Sequence, residues 1–393
     1  MGESVRVAGV GMIPFVKPGT SDSYDKMGET AIRLALADAG LEYRDIQQAY
    51  AGYVYGDSTS GQAALYRAGM TGIPVLNVNN NCSTGSSALF LARQAVASGM
   101  VDCAIALGFE QMEPGALRDV WSDRPSPLSR FVEAADENGD TSGIPMAIKL
   151  FGGAGREYQQ RYGASDEAFA LISVKARRHA EHNDKAIFRK PITTEEVLAS
   201  APMYGPLTRL QCCPPTCGAA AAILVSEGFA RRLGIQADVA IRAQAMTTDF
   251  PSTFSEQNLM KVVGADLTAA AAQSVYEEAG LGPEAVDVVE LHDCFTANEI
   301  ITYEGLGLTP EGTAERFIMD GDNTYGGKVV TNPSGGLLSK GHPLGATGLA
   351  QCAEIVWQLR GQCGPRQVDG ARIGLQHNLG LGGACVVTLY ERA

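Results

Sequence analysis

Two side chains in this 393-residue chain stand where nucleophilic chemistry would need them. Cys82 follows Asn79-Asn80-Asn81 and precedes Ser83-Thr84-Gly85 and a well-patterned helix, ALFLARQAVASG. A thiol at a helix N-terminus meets the positive end of the helix dipole and free backbone N–H groups, which lower its pKa and favour the thiolate. The three asparagines are poor strand residues and predict a strained polar elbow. The competing reading is a small buried cysteine, the ordinary state of that residue. His342 lies in a glycine-rich stretch, Asn332-Pro333-Ser334-Gly335-Gly336 and then Lys340-Gly341-His342-Pro343-Leu344-Gly345. Glycines there let a ligand approach the backbone, and Pro343 fixes the loop after the histidine. An imidazole in that place could take a proton from a thiol or donate to a developing oxyanion.

A third cluster is His292-Asp293-Cys294-Phe295, at the end of the apolar run Val286–Leu291. The ends of strands are where layered α/β folds place chemistry. His292 and Cys294 are two apart, so in extended geometry they point the same way. Zinc is the alternative for any Cys/His pair, but no C-x-x-C or H-x-x-x-H set accompanies this one, so no metal is expected. Cys212-Cys213-Pro214-Pro215-Thr216-Cys217 has neither histidine nor acid beside it and reads as a loop with buried thiols.

The elements that must position these groups recur. TAIRLALADAGLEYRDIQQAYAG (residues 30–52) and TAAAAQSVYEEAGLGPEAVDVVEL (residues 268–291) are both Ala-rich helical patterns ending in Ala-Gly-Leu, with the glycine as C-cap. Further on, strand Val75–Asn79, the Cys82 turn, a helix and strand Asp102–Gly108 match strand Lys328–Asn332, the His342 loop, helix GLAQCAEIVWQLRG and strand Arg372–Gln376. Strand–helix alternation on this scale predicts layered α/β structure. Two copies predict a duplicated fold with a pseudo-twofold axis, near which Cys82 and His342 would meet. Residues 117–205 differ in character, with Trp121, the polar run Glu133–Gly143 and a density of basic residues (Lys175, Arg177, Arg178, Arg189, Lys190). This reads as an inserted cap. The expected units are 1–116 plus 206–235, the insertion 117–205, and 236–393.

Composition narrows the class. Hydrophobic residues are 45% and charged residues 19%, so a large core is available. The 46 glycines exceed the usual share of about 7% and cluster beside polar residues, as tight turns require. A net charge of −13 argues against nucleic acid or an anionic membrane as partner. No apolar run reaches the 18 or so residues of a membrane span. The start does not read as a secretory signal. Met1-Gly2 opens like a myristoylation site, but Arg6 stands where Ser or Thr is wanted. The end, Glu391-Arg392-Ala393, is neither a peroxisomal address nor a prenylation box. Nine cysteines, an odd number, point to reduced thiols and a cytoplasmic location.

NNCSTG, HDCF, GGLLSKGHPLGATG and the closing HNLGLGGA together resemble the thiolase superfamily, and more narrowly the sterol carrier protein X-type thiolases. The resemblance covers essentially the whole chain. It implies two βαβαβαββ halves in a five-layer αβαβα arrangement with an inserted loop domain, forming a homodimer or a dimer of dimers. It implies Cys82 as the acylated nucleophile, His342 as its activator, and His292 where other thiolases have an asparagine that holds a catalytic water. The usual C-terminal Cys-x-Gly motif is here Asn378-Leu379-Gly380, so the acid/base role falls to Cys294, and Cys385 is left to the core. The N–H groups of Gly380 and Cys82 would form the oxyanion hole. Coenzyme A is then a co-substrate, with no tightly bound cofactor. Its contacts are expected at Ser334, Gly335 and Gly336 and along the basic insertion. The implied activity is thiolytic cleavage of 3-oxoacyl-CoA or its reverse. The alternatives are a synthase-direction condensing enzyme, a related aldolase, and a non-catalytic lipid-carrier subunit.

Overall fold

The computed structural model describes residues 3–115, 117, 120–136 and 143–393. Met1-Gly2 and residues 137–142 of the polar run lie outside the described residues. The first half runs β1 (Val5–Met12), α1 (Tyr24–Ala39), β2 (Gln48–Gly52), α2 (Ser60–Ala68), β3 (Val75–Val78), α3 (Thr84–Ala97), β4 (Cys103–Glu110) and β5 (Gly218–Ser226). Between β4 and β5 the chain makes a helical excursion that holds α4 (Met146–Tyr162) and α5 (Asp166–Ala180). The second half repeats the series as β6 (Val239–Thr247), α6 (Ala265–Ala279), β7 (Val288–Glu290), α7 (Thr296–Gly305), β8 (Val330–Thr331), α8 (Leu344–Arg360), β9 (Ile373–Gly380) and β10 (Ala384–Arg392).

The sheet order is β3-β2-β4-β5-β1-β6-β10-β9-β7-β8, so each half has the same order read outward from the β1–β6 seam. There Arg6 and Val7 pair with Ala240 and Val239. In each half the three outer strands are mutually parallel and the two inner ones antiparallel. The Ala-Gly-Leu echo falls on equivalent helix ends: Gly40 after α1 and Gly280 after α6 both take the left-handed conformation, at φ 65° and 69°.

Strand alternation divides the core into layers. Along β4, Cys103, Ile105 and Leu107 pack with α1, whereas Ala104 and Ala106 face α3 and α8. Helix α8 touches β4 and β5 on one side and β7 and β9 on the other, and all of it but Trp357 and Arg360 is buried. Thus α3 and α8 form a central layer between the halves, with α1/α2 and α6/α7 outside. This is the expected αβαβα arrangement. The excursion leaves from the first half but rests on the second. Phe151 of α4 stacks on Phe295 at 4.9 Å, and Lys175 of α5 pairs with Glu299 of α7. That placement puts the excursion over the ends of the two central helices. Among the described residues no helix is long and apolar enough to cross a membrane.

Candidate active site

Cys82 lies two residues before α3, and His342 lies two residues before α8. The residue ahead of each has positive φ, Asn81 at 50° and Gly341 at 117°. Asparagine tolerates this conformation because its side chain bonds locally. Here Asn81 Nδ2 donates to the Leu381 carbonyl at 3.1 Å, and Thr84 N–H donates to the Asn81 carbonyl at 3.1 Å. Gly380 presses on this elbow so closely that a Cβ would fall 2.2 Å from the Asn80 carbonyl oxygen. On the other side, His342 N–H donates to Thr216 Oγ1 at 2.6 Å, so the Cys-Cys-Pro-Pro-Thr loop buttresses the histidine.

The pseudo-twofold brings these turns together. Cys82 Sγ and a ring nitrogen each of His292 and His342 lie within 4.8 Å of one another, with the two rings edge to face at 5.0 Å. Two imidazoles and a thiol at this spacing are also a ligand set for a metal ion, but the partners of each ring assign them complementary proton roles. Thr347 Oγ1 donates to the Pro343 carbonyl at 3.0 Å, so its oxygen accepts from His342 Nδ1–H at 2.7 Å. His342 Nε2 is therefore the basic nitrogen; it is buried and has no hydrogen-bond partner among the described residues. For His292 the logic reverses. The Cys82 carbonyl can only accept, so the Asn378 amide nitrogen faces it at 3.2 Å and donates also to His292 Nδ1 at 3.0 Å. His292 thus carries its proton on Nε2. One ring is a base and the other a donor.

Burial sets the protonation states. The Cys82 thiol is pushed up to about 12 by burial and then by the Glu110 carboxylate, and its own backbone hydrogen bond offsets only part of this. The sequence expectation of a lowered thiol pKa is corrected: desolvation outweighs the helix end. His342 is driven down to about 3 by burial, and His292 well below its usual range by burial and then by the neighbouring imidazoles of His342 and His377. The resting pair is a neutral thiol and a neutral imidazole. Cys294 is likewise raised well above the usual thiol range, first by burial and then by Cys213 and Cys82, so the adjacent imidazole does not tune it towards neutrality.

Cys82, His292, Cys294 and His342 all line one cavity of about 470 Å³. Its walls are apolar, with Met112, Leu117, Met146, Phe151, Leu379 and Leu381 among them. His292 and Cys294 share it although β7 ends at Glu290, before either residue. Ser334, Gly335 and Gly336 are not brought there. They are buried, Ser334 donates to Glu290 Oε2 at 2.8 Å, and a Cβ on Gly335 or Gly336 would strike α5 or the Asp293 carboxylate. None of the three lines this cavity. Lys175 is also withdrawn, buried against Glu299, Tyr303 and Thr331. Arg177 lies over the Phe188 ring, whereas Arg178, Arg189 and Lys190 are exposed. Among the described residues the one charged side chain lining the cavity is Arg209, which lies beyond the stretch where basic residues drew attention. Cys385 is in the core, 3.8 Å from Thr268 Oγ1. Sequence reasoning missed Asn378, Thr347, Glu110 and the cavity-facing Cys212 and Cys213.

Two family models match: "Thiolase, N-terminal domain" over residues 5–228 and "Thiolase C-terminal domain-like" over residues 252–390. The chain is 54% identical over 391 residues to "Sterol carrier protein 2" of Oryctolagus cuniculus, covering 98% of this chain and 72% of that protein. Among solved structures, "Ltp2-ChsH2(DUF35) aldolase" superposes with a TM-score of 0.84 at 24% identity over 99% of this chain and 98% of the other. Human mitochondrial 3-ketoacyl-CoA thiolase in complex with CoA does so with a TM-score of 0.73 at 18% identity, over 100% and 98%. At these identities the structures speak for the fold.

Proposed function

Because the chain belongs to the thiolase family of acyltransferases, we propose that it cleaves 3-oxoacyl-CoA with free coenzyme A, or runs the reverse Claisen condensation, through an acyl thioester on Cys82. The observation that carries this reading is the unpartnered Nε2 of His342 beside the Cys82 thiol, with His292 held as an N–H donor. His342 Nε2 takes the thiol proton as Sγ attacks the keto carbon, so a separately formed thiolate is not required. The N–H groups of Cys82 and Gly380 receive the oxyanion. The adduct collapses with cleavage of the C–C bond; the enolate of acetyl-CoA leaves under donation from His292 and His342, and Cys294 S–H protonates its carbon. In the second half-reaction the Cys294 thiolate takes the coenzyme A thiol proton. The coenzyme A sulfur then takes the acyl group, and Cys82 recovers its proton from His342.

The apolar walls suit an apolar acyl chain, as in fatty-acyl or sterol side-chain breakdown, and Arg209 at the cavity is placed to pair with a coenzyme A phosphate. A second groove, lined by Trp121 and Arg124, shares Leu117, Met146 and Leu381 with the cavity and gives the nucleotide end a place to lie. The protein is also proposed to form a homodimer or dimer of dimers, since β3 is an edge strand with Leu76 exposed; sedimentation reads this directly. The deciding experiment is peptide mass spectrometry after incubation with a 3-oxoacyl-CoA. An acyl mass on the Cys82 peptide, lost in Cys82→Ala, is expected, together with a raised KM for coenzyme A in Arg209→Gln. Acylation at Cys294 or Cys385 instead would overturn the assignment.

A further inference from the structure

The mechanism above leaves Cys213 without a role. Cys212 faces Phe295 in an isolated antiparallel bridge, and Cys213 N–H donates to the Cys294 carbonyl at 2.9 Å. That register sets Cys213 directly opposite Cys294 with both side chains on one side, where opposed Cβ atoms lie about 4.5–5.5 Å apart. Both residues line the catalytic cavity with Cys82. Negative charge on Cys82 or Cys213 disfavours the Cys294 thiolate, so the two facing thiols do not both ionise, and when Cys294 carries the charge Cys213 keeps its S–H. Pro214 and Pro215 stiffen the loop that carries Cys213, and Thr216 of the same loop holds His342.

Protonating the substrate carbon leaves Cys294 as a thiolate in an apolar cavity, which is costly unless a donor meets it. Its neighbour Asp293 pushes the wrong way. We propose that the Cys213 thiol is that donor. Its S–H bonds to the Cys294 thiolate and passes its proton across, so that the charge is shared between two sulfurs until the coenzyme A thiol returns the proton. No oxidant is involved, and the S–H bond broken on Cys213 is remade in the second half-reaction.

This rests on Cys294 being the acid/base, and the test separates the two ideas. Rates of 3-oxoacyl-CoA cleavage against pH would be compared for Cys213→Ala, Cys213→Ser and Cys294→Ala. Cys82 acylation by an activated thiophenyl ester, whose leaving group needs no acid, would be followed in each as a measure of intact folding. We expect kcat in Cys213→Ala to fall about 10- to 100-fold, the range of a lost hydrogen bond to charge. The basic limb of its pH profile should move upward, because an unsupported Cys294 thiolate forms less readily. Cys213→Ser, which keeps a donor, should recover most of the rate, and Cys82 should still become acylated in both Cys213 variants, which reports that they are folded. A wild-type kcat and basic limb in Cys213→Ala, with Cys294→Ala inactive, would overturn the proposal alone, as would a serine variant no better than alanine. A fully active Cys294→Ala would overturn the acid/base assignment itself.

Discussion

Thr347 stands one turn into α8 and decides which nitrogen of His342 is free, because its hydroxyl is committed to the Pro343 carbonyl and can only accept from Nδ1. Thr347→Val keeps the shape and removes that acceptor, so the ring loses its fixed tautomer. We expect kcat to fall by about 10- to 100-fold with KM nearly unchanged, and Thr347→Ser to restore it. A Thr347→Val enzyme with wild-type kcat would remove the hydroxyl from the argument. The residues that meet in the cavity, Cys82, His292, Cys294 and His342, were legible because each is a rare, reactive side chain at a strand-to-helix turn. Thr347 and Asn378 were not. A threonine in the first turn of a helix and an asparagine in a strand read as ordinary, and their roles depend on partners. Asn378 has its partners 86 and 296 positions away. Cys213 was hidden for a similar reason: its neighbours in sequence suggested a loop, and only the pairing with the Cys294 segment turns it to the cavity.

The two central helices hold the elbows only because backbone meets backbone where they cross the sheet. A Cβ on Gly108, in β4, would fall 2.2 Å from the Gly345 carbonyl oxygen at the start of α8, and one on Gly85 of α3 would fall 2.7 Å from the same atom. Gly108→Ala must therefore push α8 outward, and His342 two residues ahead of that helix moves with it. Overpacking of this kind costs about 1–3 kcal/mol. We expect a lower melting temperature, and a kcat that falls at least tenfold at temperatures where the variant is still folded. A variant that melts early yet turns over normally would show that the helix can shift without carrying His342. At this scale the sequence was informative. The Ala-Gly-Leu caps and the matched strand–turn–helix runs marked equivalent elements, because capping and periodicity are local properties. What the periodicity could not say is which surface covers the apolar faces of α4 and α5. Both pack on α7, in the opposite half from the one they leave, and Lys175, which read as part of a basic surface, is buried there.

Stability of the molecule should depend on pH in two opposed ways, both set by groups the fold buries. Four of the five histidines are buried, and burial lowers all four: His179, His342 and His377 to about 3, and His292 well below its usual value of 6.5. The unfolded chain then binds more protons than the folded one below pH 6.5, so stability falls as the medium is acidified through that point. Glu110 acts the other way. It receives N–H donation from Val54, Tyr55 and Gly345 at 3.1, 2.9 and 3.0 Å, tying β2 and α8 to β4, yet burial dominates and raises it from 4.5 to about 7. The folded state therefore holds the extra proton between pH 4.5 and 7. The stability this contributes is complete below 4.5 and is lost as pH rises through 7, a span worth about 3 kcal/mol. Asp293, raised to about 8 chiefly by burial, adds to the same trend. The two slopes predict a maximum in melting temperature at about pH 6 to 7. Glu110→Gln isolates one of them: an amide cannot ionise, though it satisfies one fewer N–H, so the variant should start below the wild type at pH 5 and close the gap by pH 8. Melting curves of the two proteins across that range read the difference directly, and parallel curves would mean that Glu110 is ionised in the folded state throughout.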